Sequence, residues 1–164
     1  MKFVVLGSGL MGGALAYDLA HSPGVRSVTL ADVDGDRART AAESIGSTLV
    51  RPATLDVENR EKLAGLLRDH TCAISAVPYR YNVQLTEAAL EAGIHFLDLG
   101  GNDDVVRQQR AFHGRARERG VLILPNCGLA PGLANVLAAR GAEEFDSVDS
   151  IRIRVGGLPQ VPLP

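Results

Sequence analysis

The segment Gly7-Ser8-Gly9-Leu10-Met11-Gly12 follows directly on the apolar run Phe3-Val4-Val5-Leu6, and a carboxylate, Asp32, stands twenty residues beyond Gly12. No other feature restricts the fold as strongly. An apolar run that opens into Gly-x-Gly-x-x-Gly predicts a buried strand, a tight turn and the first turn of a helix. Each glycine has its own task in that arrangement. Gly7 permits the turn out of the strand, Gly9 lets backbone approach a pyrophosphate, and Gly12 lets the helix pack closely on the strand. The helix N-terminus adds free N–H groups and partial positive charge for phosphate. Ser8, Leu10 and Met11 lie inside the same turn and join the predicted dinucleotide cradle. Asp32, with Val33 after it, closes the next predicted strand. A carboxylate there accepts hydrogen bonds from adenosine ribose hydroxyls and repels a 2′-phosphate, which favours NAD over NADP as cofactor. Arg37 and Arg39 fall within the following helix, not directly after Asp32; they could hold a 2′-phosphate, but read first as a solvated helix face.

The rest of the chain repeats the strand–helix alternation. Strand patterns cover 2–6, 25–31, 47–56 (broken by Pro52), 72–77, 95–99 and 121–124. Helix patterns cover 10–21, 36–45, 58–68, 81–92, 103–119 and 133–142. Residues 72–77 form an uninterrupted apolar run, the pattern of a strand buried on both faces. Strict alternation requires crossover connections and hence a parallel sheet covered on both sides. The expected fold is α/β, a Rossmann-type doubly wound parallel sheet, over residues 1–145. Residues 148–155 alternate Ile151, Ile153 and Val155 with Arg152 and Arg154, which predicts one more strand. With the Pro-rich stretch after it, 146–164 reads as the first strand and linker of a second, substrate-binding and dimerisation domain that continues beyond this segment.

Charge and composition narrow the function classes. A net charge of −2 gives no basic surface for nucleic acid or an anionic membrane. No apolar run approaches the roughly 20 residues needed to span a bilayer, and the N-terminal run is too short for a signal peptide. Cys72 and Cys127 have neither CxxC nor metal-ligand spacing, as expected of reduced thiols in a cytoplasmic protein. No nucleophile elbow, zinc pattern or Walker loop occurs, and no metal is expected.

In such a fold, ligands gather at the carboxyl ends of the strands. Asp56-Val57 ends the third strand near the expected adenine position, and Asp56 doubles as a helix cap. Ala76-Val77-Pro78 ends the fourth strand on the nicotinamide side. Tyr79, Tyr81 and Asn82 follow it and are candidates for substrate contact or for ordinary capping. Asp98 ends the fifth strand, before Gly100-Gly101-Asn102. A carboxylate there is either hydrogen-bonded structurally or aimed at a cationic substrate, because burial without a partner is costly. His21, His70 and His113 fall on helix ends or faces and read as solvated, and His95 starts a strand away from the ligand edge.

Cys127-Gly128-Leu129-Ala130-Pro131-Gly132-Leu133 and Gly156-Gly157-Leu158-Pro159 resemble the saccharopine dehydrogenase superfamily, in which a Gly-Leu-x-Pro-Gly turn precedes a helix and a strand leads into Gly-Gly-Leu-Pro. With the glycine turn, Leu30-Ala31-Asp32-Val33-Asp34 and Leu97-Asp98-Leu99-Gly100-Gly101, the likeness is greatest to its lysine 6-dehydrogenase members. The resemblance implies an NAD(P)-dependent oxidoreductase acting on a carbon–nitrogen bond. The expected reaction is oxidative deamination of the lysine ε-amine. The alternatives are a saccharopine dehydrogenase or carboxynorspermidine synthase type of reaction, or a non-catalytic dinucleotide-binding regulatory module. It also implies a small amino-acid substrate and a homo-oligomeric full-length form. Asp98 and Asn102 become amine-side groups, with Asp98 catalytic. Tyr79 becomes a proton donor, Tyr81 and Asn82 substrate contacts, and Cys127 a neighbour of the nicotinamide. The family's substrate pocket lies between two domains, so this segment is expected to bind dinucleotide, to turn over little, and to expose an apolar patch.

Overall fold

The computed structural model describes residues 1–156. Its strands are β1 (Lys2–Leu6), β2 (Ser27–Asp32), β3 (Val50–Thr54), β4 (Cys72–Ser75), β5 (His95–Asp98) and β6 (Ile123–Leu124). They form one sheet in the order β3-β2-β1-β4-β5-β6, with every neighbouring pair parallel. The helices are α1 (Leu10–His21), α2 (Gly35–Ile45), α3 (Arg60–Leu67), α4 (Asn82–Ala92), α5 (Asp103–Arg110), α6 (His113–Glu118) and α7 (Leu133–Ala142). The chain winds outward from β1 to β3, returns, and winds outward the other way from β4 to β6. The strand order therefore reverses between β1 and β4, where a ligand crevice forms in such sheets.

The strand pleat explains the two layers. Val4 and Leu6 of β1 join Leu63, Leu67, Ala73, Leu85, Ala89 and Phe96 in one buried cluster beneath α3 and α4. Val5 points the other way, to Val28, Leu30, Ala16 and Ala42 beneath α1 and α2. Side chains alternate across a strand, so an apolar run supplies both faces at once. Each large apolar side chain fully buried in this way contributes about 1.5–3 kcal/mol.

Several expectations change in detail. Pro52 lies inside β3 opposite Leu30 and does not break it. β3 is the edge strand, where a missing N–H on the outer side leaves no ladder bond unmade. The helix expected over 103–119 is two helices, α5 and α6. At the join, the N–H groups of Ala111 and Phe112 bond three residues back, to the carbonyls of Gln108 and Gln109, which tightens the turn. Asp56 is not the cap of α3. Asn59 is, accepting from the Lys62 N–H at 3.0 Å, while Asp56 accepts from the Glu58 N–H at 2.9 Å in a turn just before it. His70 is not simply solvated: Nε2 lies 2.8 Å from the Thr29 hydroxyl and Nδ1 2.8 Å from the Leu66 carbonyl, tying the end of α3 to β2. Residues 148–155 carry no strand, and Ile151, Ile153 and Val155 are exposed. A strand pattern needs an edge to pair with, and among the described residues none is paired with it. Gly157-Leu158-Pro159 lies outside the described residues.

Candidate functional site

The turn between β1 and α1 shows what each glycine is for. Gly7 has φ +99°, and a Cβ there would stand 2.8 Å from the Ala76 carbonyl oxygen. A Cβ on Gly12 would overlap the Gly7 carbonyl oxygen. Those two positions are closed by the protein itself. Gly9 differs: its φ is −68°, and a Cβ there would meet no protein atom within 4 Å. Neither strain nor packing calls for glycine at that position. What remains is room for something outside the chain, as a pyrophosphate would require. The N-terminus of α1 has no side-chain cap, whereas α2, α3 and α5 are capped by Asp34, Asn59 and Asn102. Its N–H groups are thus open to an anion.

Asp32 locks this turn to the end of β2. Its Oδ2 accepts from the Ser8 N–H at 2.7 Å and the Ser8 hydroxyl at 2.9 Å, and its Oδ1 accepts from the Asp34 N–H at 3.0 Å. Burial pushes its carboxyl group up, but the hydrogen bonds from Ser8 and Asp34 and the charge of Arg37 outweigh that and hold it below the usual 3.8. The carboxylate stays ionised, and Oδ1 retains acceptor capacity for a hydroxyl.

A cavity of about 420 Å³ opens over the carboxyl ends of β1, β2 and β4. Of the sequence-predicted residues it brings together Gly7, Gly9, Asp32, Val33, Asp56, Val57, Ala76, Val77, Pro78 and Tyr81. Ser8 and Gly12 are buried supports beneath the turn, and Leu10 and Met11 are exposed outside the cavity. The cavity also takes in residues that sequence reasoning did not nominate: Leu55, Glu58 and Arg80. Arg37, read as a solvated helix residue, lines it as well. Arg80 carried a signal in its place, two residues past Pro78, in the turn that follows β4. Leu55 and Glu58 flank Asp56-Val57 and could have been found by extending that pair.

The residues expected to do chemistry lie elsewhere and are committed to holding the scaffold. Asp98 is fully buried. Its Oδ1 accepts from the Gly100 and Asn126 N–H groups at 2.7 and 3.1 Å, and its Oδ2 accepts from Gln109 Nε2 at 2.6 Å. Asn82 is 1 % exposed and its Oδ1 accepts from the Ser75 hydroxyl at 2.7 Å, so it faces no crevice. Asn102 caps α5 through the Asp104 and Val105 N–H groups and borders a separate, more open cleft of about 620 Å³ beside Asn126 and Pro131. Tyr79 stands beside Gly101, between the two openings. Cys127 is half-buried with its thiol directed to the Leu124 carbonyl, and burial together with the Asp98 charge raises its pKa, which keeps it protonated. Cys72 is buried in β4 and pushed up to about 11. Gln109 and Asn126, which complete the Asp98 network, were missed: a glutamine in a helix and an asparagine in a loop carry no pattern of their own.

Sheet order, glycine cradle and acid-ended second strand together define a dinucleotide-binding Rossmann domain. Residues 3–124 match the saccharopine dehydrogenase NADP binding domain, and the chain belongs to that family. It is 28% identical over 162 residues to a carboxyaminopropylagmatine dehydrogenase of Synechocystis sp., covering 93% of this chain and 40% of the relative. It is 25% identical over 181 residues to a carboxynorspermidine synthase of Vibrio cholerae, covering 95% of this chain and 44% of the relative. The chain thus spans less than half the length of these curated relatives. Among solved structures it superposes on a saccharopine dehydrogenase of Saccharomyces cerevisiae with a TM-score of 0.73 at 22% identity, over 87% of this chain and 31% of that one. GenD2 of gentamicin A biosynthesis, solved with NAD, gives 0.61 at 24% identity, over 87% of this chain and 38% of that one. These two likenesses establish the fold. Among the described residues no helix is long and apolar enough to cross a membrane.

Proposed function

We propose that this chain is the cofactor-binding part of an NAD-dependent oxidoreductase that acts on a carbon–nitrogen bond of a small amine-bearing substrate. The observation that carries the reading is Gly9, a glycine the protein's own packing does not require, set in a cradle whose other two glycines are required. The cofactor supplies hydride transfer when bound. Gly7, Gly9 and the open α1 terminus would hold its phosphates, Asp32 would accept from its ribose, Leu55 and Val57 would wall its adenine end, and Val77 would lie toward its nicotinamide. NAD is favoured over NADP because Asp32, Asp56 and Glu58 line the cavity, and Arg37, a cation that lines it with them, stands 3.9 Å from Asp34. A 2′-phosphate brought there would meet like charge. Asp98 acts as a positioning residue that fixes the Gly100 and Asn126 loops, and Tyr79 stands nearest a substrate side.

Oxidation of the lysine ε-amine is the first substrate reading, on the sequence likeness to lysine 6-dehydrogenases. The curated relatives support a second: a secondary amine formed by joining an aldehyde to an amine. The exposed apolar surface of Leu129, Leu133, Val136 and Leu137 is where a substrate domain would pack. Calorimetric titration with NADH and NADPH tests the cofactor half. NADH binding well ahead of NADPH supports it, and equal or reversed affinities contradict the assignment of NAD. NAD reduction assayed with lysine, saccharopine and carboxynorspermidine separates the substrates.

A further inference from the structure

Among the described residues Arg80 has no part in the buried core and no carboxylate partner, yet it lines the cofactor cavity. It sits in the single 3₁₀ turn Tyr79–Tyr81 that follows Pro78. Its guanidinium lies over the Tyr81 ring at 4.4 Å from the centroid, and its Nη2 donates to the Tyr81 hydroxyl at 2.9 Å. Among the described residues no acid lies within ion-pair distance of it, whereas the other cavity arginine, Arg37, stands 3.9 Å from Asp34. An exposed cation over a ring is weakly held, and an arginine fork suits paired phosphate oxygens.

The sheet order decides which part of a dinucleotide Arg80 would meet. β4 lies beside β1, and its extension runs against the glycine turn: a Cβ on Gly7 would touch the Ala76 carbonyl at 2.8 Å and Val77 Cγ1 at 3.2 Å. Arg80 comes only three residues after Val77. Asp56 and Glu58 enter from the end of β3, at the far edge of the sheet, whereas Asp32 stands at the glycine turn itself, bonded to Ser8, and Arg37 lines the cavity as well. Arg80 thus enters beside β1, on the far side of the cavity from Asp56 and Glu58.

We infer that Arg80 is a pyrophosphate-binding residue, parked on Tyr81 in the free protein and transferred to the cofactor phosphates when a dinucleotide enters. It supplies the side-chain cation that the glycine turn lacks. The inference rests on the dinucleotide reading of the same cavity and goes beyond it in assigning a residue outside the glycine motif.

The test is calorimetric titration of the wild-type chain, Arg80→Gln and Arg80→Lys with ADP-ribose, NADH and NADPH. Losing one charge-assisted contact to phosphate predicts about ten- to hundred-fold weaker binding of all three ligands to Arg80→Gln, with part of the loss recovered in Arg80→Lys. The salt dependence of binding also falls in Arg80→Gln. Unchanged affinity of Arg80→Gln for all three ligands overturns the inference while leaving the cradle intact. Loss confined to NADPH overturns it in favour of a 2′-phosphate contact. A wild-type chain that binds none of the three removes the cofactor reading, and the role of Arg80 with it.

Discussion

The two ends of the sheet's carboxyl edge are built on different terms. Around β1 and β2, polar groups are tied down by their own chain so that a cavity is left open: Ser8 satisfies Asp32, and two glycines close the turn while the third stands clear. Around β5 and β6, polar groups are tied down so that loops are held together. Asp98 is used up by Gly100, Asn126 and Gln109, and Asn102 by the first turn of α5. The contrast extends to burial. Among the described residues the last buried one is Ala116, and α7 has none, with Leu133, Val136 and Leu137 all more than half exposed. The first half of the edge thus leaves an open cavity, and the second is a scaffold whose outer apolar side chains are exposed.

Asp98→Ala gives the largest expected effect, because it takes the acceptor from one buried and two part-buried N–H donors at once. Unsatisfied buried groups cost about 1–3 kcal/mol each, so urea unfolding should show a loss of about 3–5 kcal/mol, in the range for breaking a buried charged network. A loss well under 1 kcal/mol would mean that the β5 end is not held as described. Gly12→Ala comes next. The added methyl group meets the Gly7 carbonyl, and forced overpacking of this kind costs about 1–3 kcal/mol. It should also remove NADH binding, because the turn must move to make room.

Asp32→Asn is a smaller change with a distinct signature. Both Asp32 oxygens accept N–H groups, so an amide NH₂ faces a donor whichever way it is turned. The depressed Asp32 pKa stabilises the fold above its ordinary 3.8, and that contribution is lost as pH falls through the folded-state value. The melting temperature of the wild type should therefore fall through this acid range, and Asp32→Asn should flatten that part of the curve. Parallel curves would contradict the role given to Asp32. The smallest effect belongs to α7. Leu133→Ser with Val136→Ser should change stability by no more than about 0.5 kcal/mol, because exposed positions carry little packing. A large loss would show that α7 packs on the sheet.

These contrasts also explain what the sequence could tell. The sheet, its order reversal and the glycine cradle were legible, because apolar runs, glycines and an acid at fixed spacing are local patterns. Asp32 and Asp56-Val57 were placed at the cavity by the same logic. For Asp98 and Asn82 the sequence left structural and substrate roles both open, because their partners, Gln109 and Ser75, are eleven and seven residues away and meet them only in the folded core. The strand pattern at 148–155 could not be read either: alternation signals a strand only where an edge is there to receive it.

The most direct measurement is a paired one on Gly9→Ala, a thermal melt and a calorimetric NADH titration beside the wild type. The account predicts an unchanged or slightly raised melting temperature, since the backbone at Gly9 suits alanine and the methyl group meets no protein atom, together with NADH affinity at least about tenfold weaker. NADH binding as tight as the wild type's would contradict it, because the one glycine of the Gly7-Gly9-Gly12 set that packing does not require would then have no ligand to explain it.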